Sequence, residues 1–542
     1  MLESQELGNL DYKYTQKELL NSRLTDYSYL GYTQPNGEAQ HPGLAVLDFF
    51  HPEFLLEAGY LILDDSFEQK TNKKIKYRPN PFSMSEETIQ SARQKPENKI
   101  DVATAANSFM ARLNTRYPLR SASVYLDLYI DSKATPERNL ELEVIEKILA
   151  KRLRLVNEQL SPFESQISTG VINGGILINI DSTVENIRKI CQIILERLFG
   201  IDEKAGNGQK IEISVEEKED VLDEIYSNLD TKNPIMSYSM RAFNRYVKSE
   251  ILLTLTTAKK HLRKLDQTGI QVPKFRVGRL YSEGYVDNDL SDYLVNYLAL
   301  KIDENYDPQK NFNFDFFDYD LTGFEHGKTV VLGVQTQLEE DPNQAYLHIF
   351  KTNHKQTEKL FYSKMMILES ILYDTAFDYL RTQKQLGYVV DSGMAVKNGE
   401  IFVLVFVQTT EVDRARKEVE QFYREVEKAI VNLSDQSLAT IKGNVVAKLS
   451  SPFSSVYSES GSNHDFLVNG LGIEFDFRMA EYIEQLEVAR EDLLEAYLEV
   501  ARCKTADKLI LDSTLKAGQN KYSVGEDGYV DGEEFVIVRF ED

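Results

Sequence analysis

No tryptophan occurs in the 542 residues, and cysteine is limited to Cys191 and Cys503, far apart in the chain. Two separated thiols exclude a disulfide framework and a cysteine-type metal site, so a reducing compartment, the cytoplasm, is expected. Long apolar runs are missing as well: none approaches the roughly 18 residues that a membrane-crossing helix needs. The opening residues, MLESQELGNLDYKYTQ, carry neither signal-peptide nor transit-peptide features. Basic charge is outweighed, with 62 Lys+Arg against 86 Asp+Glu and a net charge of -24. That balance excludes the basic face of a nucleic-acid binder. It fits an acidic surface kept for solubility, or a chamber that attracts basic ligands.

Histidine is scarce too. The seven are His41, His51, His261, His326, His348, His354 and His464. A helical zinc pair needs two His about four residues apart, on one face. The nearest two, His348 and His354, are six apart, and neither HExxH nor HxxEH occurs. No G-x-S-x-G elbow is present. GFEHGKT (323–329) is one residue short of a phosphate-cradling loop and follows the acidic, aromatic NFDFFDYD (313–320) rather than a buried strand. It reads as a turn between domains. Asp318, Asp320 and Gly323 outline part of a calcium loop, but its twelfth position is Thr329 instead of the bidentate Glu.

What is present is a duplication. SASVYLDLYIDS (121–132) alternates as a strand, and NLELEVIEKILAKRLRLVNEQL (139–160) has helical spacing. STGVINGGILINIDS (168–182) is a hairpin around Asn173-Gly174, followed by a helix over 184–199 and a capping box, Ser214 to Glu217, that opens another. The same order recurs downstream. A strand (343–352) and a long helix (356–385) precede a hairpin around Asn398-Gly399 (387–410), with helices over 412–433 and 433–449 behind it. Repeats of this length are duplicated domains of α+β class, with antiparallel sheets and helices packed on one face.

Between the second long helix and its hairpin stands LRTQKQLGYVVDSG (380–393). Arg381 falls in the last helical turn, Gly387 is placed as the residue just past the helix end, and Tyr388 begins the strand. One reading is structural: a cation at a helix C-terminus and a tyrosine on a sheet face. The other is a pair of donors, guanidinium and phenol, aimed at one developing oxyanion.

The wider segment FDYLRTQKQLGYVVDSG resembles the characteristic segment of the insulin-degrading enzyme and pitrilysin group, the M16 zinc metalloendopeptidases with the inverted HxxEH motif. The match runs through Phe377, Leu380, Arg381, Thr382, Gln385, Leu386, Gly387, Tyr388, Val390, Ser392 and Gly393. LDFFHPEFLLEAGYLI (47–62) and SFEQKTNKK (66–74) are more loosely similar to the end of that family's second domain. The resemblance implies two homologous M16-type domains of the LuxS/metallohydrolase-like fold. It divides the chain into residues 1–82 (tail of a second domain and linker), 83–310 (a third domain), 311–328 (linker) and 329–542 (a fourth domain). It further implies a chamber wall for unfolded peptides, with no metal in this chain and zinc in a separate or preceding N-terminal half. Arg381 and Tyr388 match donors to the substrate carbonyl, and Phe377 matches a lining residue of the substrate pocket. The alternative is an inactive paralogue that binds peptides or scaffolds a complex. Neither nucleic acid nor membrane is implied, and self-association into a homodimer is left open. The family's lysine-rich, polyanion-binding patch is reduced here to Lys448 within 445–460, so activation by anions is not implied.

Overall fold

The computed structural model describes residues 100–539, apart from 118–119, 202–207, 231–234, 325–327, 334–341, 502–506 and 514–533. The readings made on residues 1–99, and on His326 and Cys503, lie outside the described residues.

The first unit opens with β1 (Ile100–Ala106), β2 (Phe109–Asn114) and β3 (Ser121–Ile130). All ten residues of β3 are buried, as expected of a strand covered on both faces. Helix α1 (Pro136–Leu160) starts where Thr135 accepts a hydrogen bond from the Arg138 N–H and Pro136 takes the first helical position. The hairpin β4 (Gln166–Ile172) and β5 (Gly175–Thr183) turns at Asn173-Gly174, where Gly174 adopts φ +73°. Helix α2 (Val184–Phe199) follows, then α3 (Val215–Asp230), α4 (Ile235–Val247) and α5 (Leu255–Thr268). The capping box read in the sequence is formed: the Ser214 N–H donates to Glu217 Oε2 at 2.9 Å, and the Glu217 N–H to Ser214 Oγ at 3.1 Å. Strand β6 (Phe275–Gly284) completes a sheet ordered β1-β2-β6-β3-β5-β4, antiparallel except for β2 with β6.

The second unit repeats the plan. Strand β7 (Lys328–Gly333) and β8 (Gln344–Lys355) precede α6 (Lys359–Thr375), which continues as a π-helix over Ala376–Gln383. The hairpin β9 (Val389–Lys397) and β10 (Glu400–Thr409) turns on Asn398 and Gly399, both at positive φ, the pairing a two-residue hairpin favours. Helices α7 (Val412–Val431), α8 (Asp435–Leu449), α9 (Val456–Val468), α10 (Phe475–Gln485) and α11 (Arg490–Ala501) lead to β11 (Asp507–Asp512) and β12 (Glu534–Arg539). The sheet order is β12-β7-β11-β8-β10-β9, with β7 parallel to both β11 and β12. The α+β class and the duplicated order therefore stand, with antiparallel pairs in the majority.

Each sheet carries its own helices on one face. In the first unit, Val124, Leu126 and Leu128 pack with Leu142, Ile145, Leu149, Ile187 and Ile190. In the second, Val403, Val405 and Val407 pack with Leu368, Leu372, Phe422 and Val426. The other face of each sheet is covered by a helix from the opposite unit, an exchange that the periodicity does not reveal. Helix α4 lays Ala242, Phe243 and Val247 on Leu347, Ile349, Phe402, Phe406, Leu509 and Leu511. Helix α9 packs on β3 and β6. The aromatic run after the first unit packs down as well: Phe312, Phe314 and Phe317 surround Tyr129 at ring-centroid distances of 5.3, 5.7 and 4.4 Å.

Candidate functional site

The junction between α6 and β9 is built from an irregular helix end. The π-helical turn carries Phe377 and Arg381, and its wider winding is marked by the Thr382 Oγ1 bond to the Phe377 carbonyl and the Gln383 Nε2 bond to Asp378 Oδ2. Such widened turns recur at functional sites. The chain then stops the helix by a left-handed residue, and here the structure corrects the sequence reading. The positive φ (+51°) is at Gln385, not Gly387. The Lys384 N–H bonds back to the Tyr379 carbonyl and the Leu386 N–H to that of Leu380, so the helix end is satisfied before Gly387 is reached.

Gly387 serves a different purpose. A Cβ there would lie 1.8 Å from the Gln408 carbonyl oxygen. Only glycine lets this segment close against the end of β10. Tyr388 is placed one residue before β9 begins.

The result is a stack at the surface. The Arg381 guanidinium carbon is 4.8 Å from the centroid of the Phe377 ring and 4.8 Å from that of Tyr388. The structure thus brings together the three residues singled out in the sequence. Two rings hold the cation by its faces, which leaves its N–H edges to donate. Tyr388 is 83% exposed and Phe377 is 42% exposed. Among the described residues, neither the Tyr388 hydroxyl nor the Arg381 guanidinium has a hydrogen-bond or ion-pair partner. Both are free to donate to a carbonyl oxygen or an anion.

The stack is anchored from behind by groups that sequence reasoning did not find. The Tyr379 hydroxyl donates to Glu418 Oε2 at 2.9 Å, Lys384 Nζ pairs with the same carboxylate at 2.9 Å, and Arg414 donates to the Lys384 carbonyl at 2.7 Å. Burial alone would raise the Glu418 carboxyl, but the bonds from Lys384 and Tyr379 bring it below its ordinary range. Burial, then the Glu418 bond, pushes the Tyr379 phenol up. These residues are 30 or more positions from their partners, and no local motif signals them.

The histidines are used elsewhere. His348 is buried beside Tyr423 (Oη to Nδ1 3.2 Å), and its imidazole is pushed down to about 3 by burial and then by Lys508. His354 pairs with Glu358 and Glu499 at the surface. His464 bonds Asp127 at 2.9 Å under α9. Among the described residues no group of three His, Cys, Asp or Glu side chains is placed to hold a metal ion. The would-be calcium loop is taken apart by the fold: Asp315–Phe317 form a 3-10 turn, Gly323 closes on the Tyr246 ring, and Thr329 belongs to β7. Among the described residues no helix is long and apolar enough to cross a membrane.

Residues 367–463, which include the stack, match the family model for the PQQ synthase PqqF-like C-terminal lobe, domain 4. No curated protein matches the chain in sequence. Among solved structures, pitrilysin superposes with a TM-score of 0.62 at 13% identity, over 82% of this chain and 46% of that one. This chain therefore spans about half the length of pitrilysin. A peptidase M16 inactive domain from Pseudomonas fluorescens gives a TM-score of 0.52 at 11% identity, over 76% of this chain and 98% of its own. The first half of the periplasmic protease PqqL from Escherichia coli gives 0.53 at 11%, over 78% of this chain and 93% of its own. Identities this low speak for the fold alone. The fold is that of an M16 peptidase half, and within it residues 367–463 carry the pattern of a PqqF-like fourth domain.

Proposed function

We propose that this chain is the non-metal-binding C-terminal half of an M16 zinc metalloendopeptidase. It forms one wall of a peptide-degradation chamber and lends Arg381 and Tyr388 to the substrate carbonyl. Phe377 lines the pocket for the neighbouring substrate side chain. Zinc, and the groups that activate water, would come from the zinc-bearing N-terminal half, in the same polypeptide or as a separate subunit. On this reading, residues 83–310 and 329–542 are the third and fourth domains. The observation that carries the proposal is the exposed Phe377–Arg381–Tyr388 stack, whose donors are unpartnered among the described residues. A guanidinium and a phenol preorganised by packing can stabilise an oxyanion without reorganising when charge develops.

The likeness to an M16 inactive domain, covered over 98% of its length, favours a second reading. In that reading the chain is a peptide-binding or scaffold subunit with no part in chemistry. Mixing the chain with a zinc-bearing M16 half and measuring peptide cleavage separates the two. Tyr388→Phe should lower kcat about 10²–10³-fold, or about 2.7–4 kcal/mol of transition-state stabilisation. Equal cleavage with wild type and variant would remove Tyr388 from the reaction and leave the scaffold reading.

A further inference from the structure

A cavity of about 570 Å³ opens in the first unit, between α1, the end of the edge strand β4, α3 and the segment that joins α4 to α5. That volume is in the range of small-ligand sites. Two asparagines tie its rim together. Asn139 Nδ2 donates to Asn173 Oδ1 at 2.8 Å and to the Ile251 carbonyl at 3.0 Å, and Asn139 Oδ1 accepts from the Gly174 N–H at 2.9 Å. Asn173 Nδ2 donates to the Phe317 carbonyl at 2.5 Å, which draws the segment carrying Tyr319 to the same rim. Leu140, Ile225, Leu229 and Leu253 give the cavity an aliphatic wall. Val171 and Leu252, 40% and 37% exposed, extend that wall to the surface.

Five charged side chains line the cavity, and three of them are committed. Lys147 pairs with Glu224 at 3.2 Å, Glu146 accepts from Thr169 Oγ1 at 2.5 Å, and Arg245 donates to the Leu253 carbonyl. The other two, Glu143 and Lys248, make no hydrogen bond or ion pair among the described residues. Glu143 shares one face of α1 with Asn139, Leu140 and Lys147, all of them in the cavity wall. Burial raises its carboxyl, and the charges that act on it, from Lys147, Arg245 and Glu146, all come from that wall. Its side chain is therefore directed into the cavity. Lys248 stands by the linker, with its Nζ 5.7 Å from the centroid of the Tyr319 ring. Burial, then the charge on Lys248, pushes the ammonium of Lys397 down. Lys397 also lacks an ion pair among the described residues, so two cations without a carboxylate adjoin each other at this side.

An aliphatic wall flanked by a free carboxyl and a free ammonium fits a ligand of complementary pattern: an apolar body with a cationic donor at one end and an anionic acceptor at the other. Charges drawn out of water without partners are costly, and such a ligand would pair both. Short peptides have this pattern, with opposite termini separated by about 3.5 Å per residue and side chains between them. We infer that this cavity binds a short peptide with free termini and aliphatic side chains, its ammonium at Glu143 and its carboxylate at Lys248. The site belongs to the first unit and the stack to the second, so the inference holds whether or not the stack takes part in catalysis.

Saturation-transfer NMR titrations on the full chain test this with leucyl-leucine and three relatives: N-acetyl-leucyl-leucine, leucyl-leucine amide and glycyl-glycine. Leucyl-leucine should bind about tenfold more tightly than either blocked form, because each block removes one charge-assisted bond. Glycyl-glycine should give no signal. Glu143→Gln should erase the discrimination against the acetylated peptide and keep that against the amide. Lys248→Gln should do the reverse. Leu252→Trp, which fills the cavity from an exposed position, should abolish binding of every peptide with the urea midpoint unchanged. Tyr388→Phe should alter none of these affinities. Equal binding of free and blocked peptides, or unaltered discrimination in both charge variants, overturns the site. Binding that falls in Tyr388→Phe and persists in Leu252→Trp also overturns it, by placing the peptide at the stack. No binding of leucyl-leucine by the wild type overturns it outright.

Discussion

The two units seat each other's helices on opposite chemistry. Helix α4 buries Phe243 against a face of Leu347, Ile349, Phe402, Phe406, Leu509 and Leu511. Helix α9 lies on a face that is almost entirely polar. There Glu459 accepts from Arg112 (2.8 Å), Asn114 (3.0 Å), Tyr117 (2.6 Å) and Arg116, while Glu283 accepts from Arg112, Asn114 (2.9 Å), Asn463 (2.9 Å) and Tyr281. His464 bonds Asp127, which also pairs with Arg279 at 3.2 Å. The duplication preserved the strand and helix order but not the chemistry of the seat. An apolar face attracts in proportion to area and has little direction. A buried charged face contributes little net stability, yet it admits only a helix whose groups match it atom by atom. Phe243 could not replace Glu459 there without taking a shared acceptor from Arg112, Arg116 and Tyr117. The charged seat thus decides which helix goes where, and the apolar seat supplies the burial.

The largest effect is expected from breaking the charged seat on one side. Arg112→Met leaves Glu283 and Glu459, both fully buried, without their shared cation. It should cost about 3–5 kcal/mol in urea unfolding and expose the amides of α9 to hydrogen exchange. Removing the charges together, as in Arg112→Met/Glu283→Leu/Glu459→Met, should recover part of that loss, the rest being the cost of leaving Asn114, Asn463 and Tyr281 without acceptors. A triple variant as unstable as the single one would show that the charges themselves hold the seat. The matching truncation in the apolar seat, Phe243→Ala, should cost about 3 kcal/mol through lost burial and the cavity left behind. Phe243→Leu should cost less than about 1.5 kcal/mol, because apolar packing tolerates such changes. Arg112→Lys should be the worse of the two conservative changes, since a lysine cannot reproduce a forked guanidinium between several carboxylates.

Much of the fold was legible because it is local. The alternation in 121–132, the Asn-Gly turns and the Ser214–Glu217 cap each determine structure within a few residues, and the elements appear where those signals lie. The exchange of α4 and α9 was not legible. α9 buries Glu459, Ser460, Asn463 and His464, a stripe that looks solvated unless its distant partners are known. The candidate site was legible as residues and not as geometry. Phe377, Arg381 and Tyr388 stand out together in the sequence, but the π-helical turn that stacks them has no propensity signal. Gly387 reads locally as a helix terminator, whereas its real constraint, the Gln408 carbonyl, is 21 residues away.

Acid should separate the two units in a direction opposite to their charge content. His348, in the second sheet, has its imidazole pushed down to about 3 by burial, against an unfolded value near 6.5. A folded pKa below the unfolded one means that unfolded chains take up a proton first. Stability is then full above pH 6.5 and is lost as pH falls toward 3. The charged seat behaves differently. Burial raises the Glu459 carboxyl, but the bonds from Tyr117 and Arg112 bring it below its ordinary range, so its contribution persists until pH falls under about 4.5. Between pH 6.5 and 5, His348 alone should withdraw about 2 kcal/mol. His354 offsets part of this: burial lowers it, but Glu358 and Glu499 raise it overall, so its contribution is present at acid pH and lost as pH rises. Comparing wild type with His348→Phe cancels that term. Urea unfolding of the two proteins over this range should show the wild type losing about 2 kcal/mol more than the variant. Hydrogen exchange should place the extra loss in β8 and its neighbours, with α9 still protected. Equal pH slopes, or α9 opening first, would make the charged seat the acid-sensitive one and reverse the comparison.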